Sequence, residues 1–203
     1  MKYYQTHNIA FIHIPKTAGG SIATLLRNKL GAPIIFDNEA HCTLDRVISR
    51  LNTDTKIFTS LRNPYDAAVS LYCSHRSANV FDILDSKDDW AQALVAPART
   101  LSFDQWLEQF YIKNRPPYKK YLLVNGVLDA RIKFVKYENL FEDLNFVLND
   151  CYKLNIDVNT IPHVHKSERT DESYLTYYTK RSSIEIINNK YKWTFDMGFY
   201  KKL

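Results

Sequence analysis

The stretch from Pro15 to Ser21 (PKTAGGS) combines a lysine, two hydroxyl side chains and two glycines. An apolar run over residues 8–14 precedes it, and apolar residues at helical spacing follow it. This order predicts a strand, a short loop and a helix whose N-terminus presents unpaired N–H groups and a partial positive charge. Lys16 supplies a mobile cation, and Thr17 and Ser21 supply hydroxyl donors. The stretch therefore predicts a binding loop for a phosphate-like anion.

The order of residues in this loop differs from that of the nucleoside triphosphatases. Their motif, G-x-x-x-x-G-K-[ST], places the lysine late, at the start of the helix, whereas Lys16 precedes both glycines. Those enzymes also need an aspartate at the end of a neighbouring strand to hold Mg²⁺. The strand predicted over residues 55–60 leads instead to Arg62. An arginine at this place suits a second anion rather than a metal ion.

A second basic site is thus predicted around Arg62. Asn63 is a favourable N-cap and Pro64 a favourable first helical residue, so a helix is expected to open at once. Ser70 lies two turns into that helix. Because Lys16 and Arg62 each follow a predicted strand, their two anion sites fit a nucleotide that carries charged groups at both ends.

Strands and helices alternate along the chain. Strands are predicted over residues 8–14, 33–36, 55–60 and 131–137. Helices are predicted from Ser21, near Thr43, from Pro64, from a capping box at Ser102–Gln105, over residues 140–151 and from a second capping box at Ser182. Residues 76–100, which contain Pro97, are expected to be an irregular insertion. The alternation predicts one α/β domain over residues 1–203, a P-loop-like three-layer sandwich with a central, mostly parallel sheet flanked by helices.

The composition favours an anionic partner. The net charge is +5 and the isoelectric point is about 9.0, which mildly favours nucleotides and sulfated or phosphorylated groups. The longest basic clusters are pairs such as Lys119–Lys120, so nucleic acid is not expected as a partner.

The cysteines indicate a reducing compartment, and the lengths of the apolar runs indicate a chain without a membrane span. Cys42, Cys73 and Cys151 form no C-x-x-C pair, so neither a disulfide framework nor a zinc site is predicted. No apolar run approaches the roughly 18 residues of a membrane span. The N-terminal apolar stretch lacks a cleavage site and is interpreted as a strand rather than a signal peptide. A cytoplasmic location is therefore expected.

Two segments, IPKTAGGSI (residues 14–22) and SLRNPYDAAVSLY (residues 60–72), resemble the paired cofactor motifs of sulfotransferases that use 3′-phosphoadenosine 5′-phosphosulfate (PAPS). They are most similar to the branch that contains the carbohydrate 2-O-sulfotransferases and many bacterial relatives. Tyr137–Leu140 (YENL) and the aromatic tail from Tyr177 to Tyr200 also resemble that branch, so the similarity spans most of the chain. Relatives often have threonine at the position of Gly20.

The resemblance implies which residues bind the donor and its product, 3′-phosphoadenosine 5′-phosphate (PAP). Around the 5′-phosphosulfate they are Lys16, Thr17, Ala18, Gly19, Gly20, Ser21 and Ile22, with Lys16 also neutralising the leaving phosphate. Arg62 and Ser70 match the positions that hold the 3′-phosphate. A late loop closes over the nucleotide in relatives, which implies the same role for Lys166, Ser167 and Arg169. The alternative for these three is a solvated surface.

Sulfuryl transfer also needs a base opposite the leaving phosphate, because the acceptor hydroxyl loses its proton as it attacks in line. His41 matches the place where relatives carry a catalytic histidine or glutamate, and an unperturbed pKa of about 6.5 suits this role. Asp37 and Glu39 are competing bases, and His41 is alternatively only a polar residue before a helix. His13, in the buried strand, is interpreted as a core histidine with a backbone partner.

No metal is expected. His163 and His165 are spaced as two ligands, but without a third acidic or thiol partner they make a weak metal site, so a loop role is preferred. The acceptor is expected to be a small molecule or a carbohydrate. Arg76, Arg99, Arg115 and Lys119 are unranked candidates to bind an acidic one. Two other functions remain open: a P-loop-like nucleotide kinase, and a non-catalytic module that binds a nucleotide or another anion.

Overall fold

The structure is a computed structural model that describes residues 1–39, 41–77, 89–164, 169 and 173–203, with the backbone alone over residues 89–94. Its strands are β1 Lys2–Tyr4, β2 Ile9–Ile12, β3 Ile34–Ile35, β4 Lys56–Leu61, β5 Leu123–Val124, β6 Val127–Leu128 and β7 Ile132–Lys136. Its α-helices are α1 Gly19–Leu30, α2 Pro64–Arg76, α3 Asp89–Thr100, α4 Phe103–Trp106, α5 Ile112–Asn114, α6 Lys119–Leu122, α7 Leu140–Asn145, α8 Arg181–Lys190 and α9 Lys192–Asp196. Two π-helical segments, Leu107–Tyr111 and Phe146–Cys151, follow α4 and α7.

The main sheet of the described chain has the strand order β3-β1-β2-β4-β7. β2 pairs with β4 and β4 pairs with β7 in parallel, whereas β1 is antiparallel to both of its neighbours. Four of the five strands therefore run in one direction. Because Ile12 of β2 lies opposite Thr59 of β4, the segments that follow these two strands leave from the same edge of the sheet. The predicted α/β class, with a mostly parallel sheet flanked by helices, is confirmed.

One apolar cluster joins this sheet to two helices. Phe11 and Phe58 stack on adjacent strands with their ring centroids 4.9 Å apart. α1 contributes Ile22, Leu25 and Leu26 to the cluster, and α7 with its π-helical extension contributes Leu144, Val147 and Leu148. The spacing of three and four residues within each set places those side chains on one helix face. This packing fixes the start of α1, where the predicted binding loop ends.

Contacts divide the chain into two compact units, each made of two segments. The first unit is Met1–Arg62 with Tyr118–His165, and the second is Asn63–Pro117 with Lys166–Leu203. The first contains the sheet. The expectation of one domain over residues 1–203 stays a prediction.

The second unit is built on α2. The side chain of Asn63 accepts the Tyr65 N–H at 3.0 Å, and Pro64 is the first helical residue, so the predicted helix start is confirmed. Tyr72 of α2 packs against Phe103 and Trp106, with ring centroids 5.4 Å away in each case. The capping box at Ser102–Gln105 is also confirmed.

Two predicted elements and one predicted helix cap are wrong, although the helix predicted from Ser182 is present as α8. The chain after Thr43 forms turns and a 3-10 helix, Ile48–Arg50, instead of an α-helix. There the Leu44 N–H bonds to the distant Tyr121 carbonyl at 3.0 Å, so a tertiary contact supplies a backbone partner near the start of this segment. Of the predicted irregular insertion, residues 78–88 lie outside the described residues, but α3 occupies Asp89–Thr100 and contains Pro97. Ser182 does not cap α8, because the helix begins one residue earlier, at Arg181. The Ser182 hydroxyl instead donates to the Glu108 carboxylate at 3.0 Å.

Among the helices within the described ranges, none combines the length and the apolar character that crossing a membrane requires.

Candidate active site

The chain between β2 and α1 makes a tight turn at the end of the strand. Lys16 and Ala18 have left-handed backbone conformations, with φ of 67° and 68°, a region that costs about 1–2 kcal/mol for a residue with a side chain. α1 begins at Gly19, and the Ala18 carbonyl accepts the Ile22 N–H at 3.1 Å. The N–H groups of residues 19–21 come before this first helical bond and have no partner within the helix. This is the geometry that helix N-termini use to bind anions.

The hydroxyl of Thr17 is fully buried and bonded within the fold. It donates to the Ile14 carbonyl at 2.8 Å and lies 2.8 Å from the Ser60 hydroxyl. A carbonyl oxygen can only accept, so the Thr17 proton goes to Ile14 and Ser60 donates to Thr17. The hydroxyl that the sequence offered as an anion donor therefore connects the loop to the residues that follow β2 and to β4.

Ser21 and Ile22 also support the loop from within. Ser21 Oγ accepts the Val164 N–H at 3.2 Å, which connects the start of α1 to a segment near the end of the first unit. Ile22 is fully buried in the apolar cluster. Its side chain therefore holds α1 against the sheet, and its N–H is used in the first helical bond.

Arg62 follows β4 and is 8% exposed. Its guanidinium lies over the Tyr137 ring, 3.9 Å from the centroid, and Nη1 donates to the Lys16 carbonyl at 3.5 Å. The Tyr118 hydroxyl donates to the Arg62 carbonyl at 2.8 Å. The fold thus brings the Arg62 guanidinium to the backbone of the Lys16 loop, and the contact with the Tyr137 ring helps to orient it.

His41 is held beside this loop by a backbone contact. Its Nδ1 lies 2.9 Å from the His13 carbonyl oxygen. Because the carbonyl can only accept, Nδ1 carries the proton, and the lone pair of the neutral ring is on Nε2. This tautomer gives His41 a basic nitrogen on the side of the ring away from its anchor.

The two competing carboxylates are held in ion pairs. Asp37 bonds Arg50 at 2.7 Å and Arg46 at 3.2 Å, and Glu39 also pairs with Arg46. The hydrogen bond from Arg50 holds the pKa of Asp37 below its ordinary value, because a cation favours the ionised carboxylate. Asp37 is therefore a weaker base than a free carboxylate, and the geometry favours His41.

His13 differs from the core histidine that the sequence predicted. It directly follows β2 but is only half-buried, and its ring lies 4.5 Å from the His41 ring between centroids. Its ring also stacks on Phe11, 5.8 Å away. His13 therefore belongs to the site rather than to the apolar cluster.

The other predicted donor-binding residues belong to the second unit or lie outside the described chain. Ser70 is buried in α2. Arg169 forms a salt bridge of 2.7 Å with Asp66, one turn earlier on α2, and both side chains are less than a fifth exposed. The Arg169 side chain is thus held against α2 rather than exposed to solvent. Lys166 and Ser167 lie outside the described residues.

A cavity of about 650 Å³ lies within the second unit. Arg76, one of the cations suggested by the sequence, lines it together with Arg169, Asp104 and Tyr177. Nη1 of Arg76 donates to the Tyr72 hydroxyl at 2.9 Å and to the Ala98 carbonyl at 3.1 Å. The cavity therefore presents a cation, a carboxylate and aromatic rings within one unit.

Metal ligation finds no support in the part of the chain that the structure describes. No group of three or more histidine, cysteine or acidic side chains is placed there to hold an ion. His163 is exposed, and His165 lies outside the described residues. All three cysteines are free thiols.

Sequence reasoning missed three residues that shape the site: Ser60, Tyr118 and Tyr137. Each acts on a partner that is remote in the chain, and Ser60 is 43 residues from Thr17. Ser60 and Tyr137 had a signal, each as the first residue of a quoted segment, SLRNPYDAAVSLY and YENL, whereas Tyr118 had none. Pairs of this kind follow from the register of β2, β4 and β7, which no local spacing encodes.

A family model described as the sulfotransferase domain matches residues 17–192. The match includes the loop after Lys16, the segment around Arg62, and most of both units. The comparisons with curated proteins and with solved structures returned no match.

Proposed function

Because the chain belongs to the sulfotransferase family, whose members are sulfuryl-transferring enzymes, we propose that its donor is PAPS and its acceptor a hydroxyl on a carbohydrate. The observation that carries the proposal is the hydrogen bond from Arg62 to the Lys16 carbonyl, in the loop that leads into the start of α1. An arginine held against a loop that contains a lysine and opens a helix suits a ligand with several anionic groups.

The residues present fit the two charged ends of PAPS. The cradle formed by the loop and the start of α1 takes the 5′-phosphosulfate, and Lys16 lies within that cradle. Arg62 takes the 3′-phosphate. The planar guanidinium of Arg62, held on Tyr137, suits bidentate contact with phosphate oxygens.

The proposed step breaks the bond between sulfur and the 5′-phosphate oxygen and forms one between sulfur and the acceptor oxygen. Lys16 and the N–H groups of α1 stabilise the negative charge that develops on the leaving phosphate. His41 Nε2 takes the proton of the acceptor hydroxyl. The products are a sulfate ester, PAP and a protonated His41, which returns its proton to water.

A carbohydrate acceptor is supported by the resemblance of the motif pair and the aromatic tail to the carbohydrate 2-O-sulfotransferase branch.

Calorimetry with PAP tests the donor. Lys16→Ala and Arg62→Ala should each weaken PAP binding about 10- to 100-fold, because each removes a charged hydrogen bond worth about 1.5–3 kcal/mol. Lys201→Ala, at an exposed position of the tail, should bind PAP like the unchanged protein. Unaltered affinity in both site variants would contradict the assignment of the cradle.

Calorimetry and a label-transfer assay separate the two other candidate functions. Binding of ATP with Mg²⁺ more tightly than PAP would favour a nucleotide kinase. Tight PAP binding without transfer of label from PAPS to any member of an acceptor library would favour a non-catalytic module.

A further inference from the structure

The His13 side chain occupies the space between the donor loop and His41. Its ring stacks on Phe11 at 5.8 Å with an interplanar angle of 17°, and it meets the His41 ring at 4.5 Å with an angle of 59°. The third contact is with Gly19, the first residue of α1. One side chain thus contacts the sheet, the base and the helix that forms the anion cradle.

Gly19 has no room for a side chain because of this ring. A Cβ atom at position 19 would lie 1.9 Å from His13 Cδ2 and 2.2 Å from Nε2, far inside van der Waals contact. The ring has little freedom to retreat, since Phe11 and His41 lie against it. The backbone of Gly19 is helical, so a left-handed conformation does not explain why position 19 is glycine. The contact with the His13 ring explains it.

His13 also fixes His41 in two ways. The His13 carbonyl accepts the Nδ1 proton of His41 at 2.9 Å, which sets the tautomer, and the His13 ring restricts the tilt of the His41 ring. The carbonyl contact is available to any residue at position 13. The ring contact requires a planar side chain of about this size.

We propose that His13 is a positioning residue that sets the spacing between the base His41 and the donor loop, and that position 19 is glycine to admit the His13 ring. The part that concerns catalysis rests on the proposed function. The steric part, the pairing of His13 with Gly19, stands independently of it.

A double-mutant cycle tests the pairing. Gly19→Ala should lower the melting temperature and weaken PAP binding about tenfold or more, because the new methyl group pushes the His13 ring or the start of α1 aside. His13→Ala should retain PAP binding. In the double variant His13→Ala/Gly19→Ala, the methyl group has room, so both the melting temperature and the PAP affinity should return to those of His13→Ala. The pairing would be overturned if the losses in melting temperature and PAP affinity of the two single variants simply added in the double variant. It would also be overturned if the Gly19→Ala protein behaved like the unchanged chain.

Steady-state kinetics test the positioning of the base. His13→Ala should lower kcat about 10- to 100-fold, because a displacement of a catalytic group by about 1 Å has effects of this order. The KM for PAPS should stay unchanged. His13→Phe keeps a planar ring on Phe11 and should retain more of the kcat than His13→Ala. A normal kcat in His13→Ala, or equal losses in both variants, would contradict a positioning role.

The readouts separate failure of this inference from failure of the proposed function. If the unchanged protein does not bind PAP, the proposed donor is wrong, and the melting temperatures of the cycle still decide the His13–Gly19 pairing. If PAP binds but the cycle is additive, the donor assignment survives and the pairing is wrong.

Discussion

At the scale of single residues, Thr17 and Arg62 show how the site depends on contacts that a motif does not state. The Thr17 hydroxyl belongs to a buried pair with Ser60, so its contribution to anion binding comes through the shape of the loop. Arg62 is oriented by the Tyr137 ring. The sequence identified both positions because their motifs are local, but it assigned Thr17 a hydroxyl contact that the buried pair already uses.

His41 is the residue whose role is most directly testable. His41→Ala should spare PAP binding and reduce sulfuryl transfer by about 10²- to 10⁴-fold, the usual contribution of a general base. Asp37→Asn is the matched control, because Asp37 is held by Arg46 and Arg50, and it should keep most of its activity. Transfer of label from PAPS to an accepted carbohydrate measures both. Full activity in His41→Ala would assign the base to another group.

At the scale of elements, local signals predicted the segments that carry the donor loop and missed those that depend on distant partners. The apolar run, the glycine-containing loop and the spacing of Ile22 and Leu25 predicted β2 and α1, and Asn63 with Pro64 predicted the first residue of α2. The helix predicted near Thr43 was wrong although its apolar spacing is helical: the segment forms turns and the short 3-10 helix Ile48–Arg50, and its Leu44 N–H bonds to the distant Tyr121 carbonyl. β1, antiparallel and three residues long, has no signal of its own.

The packing of α8 creates a measurable pH dependence. Lys190 Nζ donates to the Ile112 carbonyl at 2.6 Å. Burial, and secondarily the charge of Arg115, lowers the pKa of Lys190 from 10.5 to about 8. Between these values the unfolded chain binds more protons than the folded one, so the free energy of unfolding should rise with pH.

Urea denaturation between about pH 8 and about pH 9.5 checks this, in a window that stays below the ordinary tyrosine pKa of about 10. The unchanged protein should become more stable across the window. Lys190→Met should show a flatter profile, whereas Lys192→Met, at an exposed lysine, should follow the unchanged protein. The same slope in Lys190→Met and the unchanged chain would rule out Lys190 as the source.

At the scale of the whole molecule, each compact unit is assembled from two separated segments. The first 62 residues supply four strands of the main sheet, but β7 and α7 come from the second segment. Val135, Leu144 and Leu148, which complete the apolar cluster, arrive with it. Sequence periodicity predicted these elements but not their grouping, because grouping depends on contacts between remote segments.

A truncated chain tests this interdependence. Residues 1–117 lack the part of the cluster that covers Phe11 and Phe58, so the fragment should not unfold cooperatively when heated. Circular dichroism and hydrogen exchange should show a collapsed chain without protected strands. Adding residues 118–203 as a separate polypeptide should restore protection in β2 and β4. A cooperative transition in the isolated fragment would show that the second segment is dispensable.

The left-handed conformations of Lys16 and Ala18 have a consequence for the speed of binding. The Thr17 bonds to Ile14 and Ser60 hold this backbone in a sparsely populated region. Because the loop is already ordered, binding does not have to offset the entropy cost of ordering it. The donor should therefore dock in one bimolecular step whose rate is set by diffusion and charge, and variants of the loop should differ mainly in how quickly they release the nucleotide.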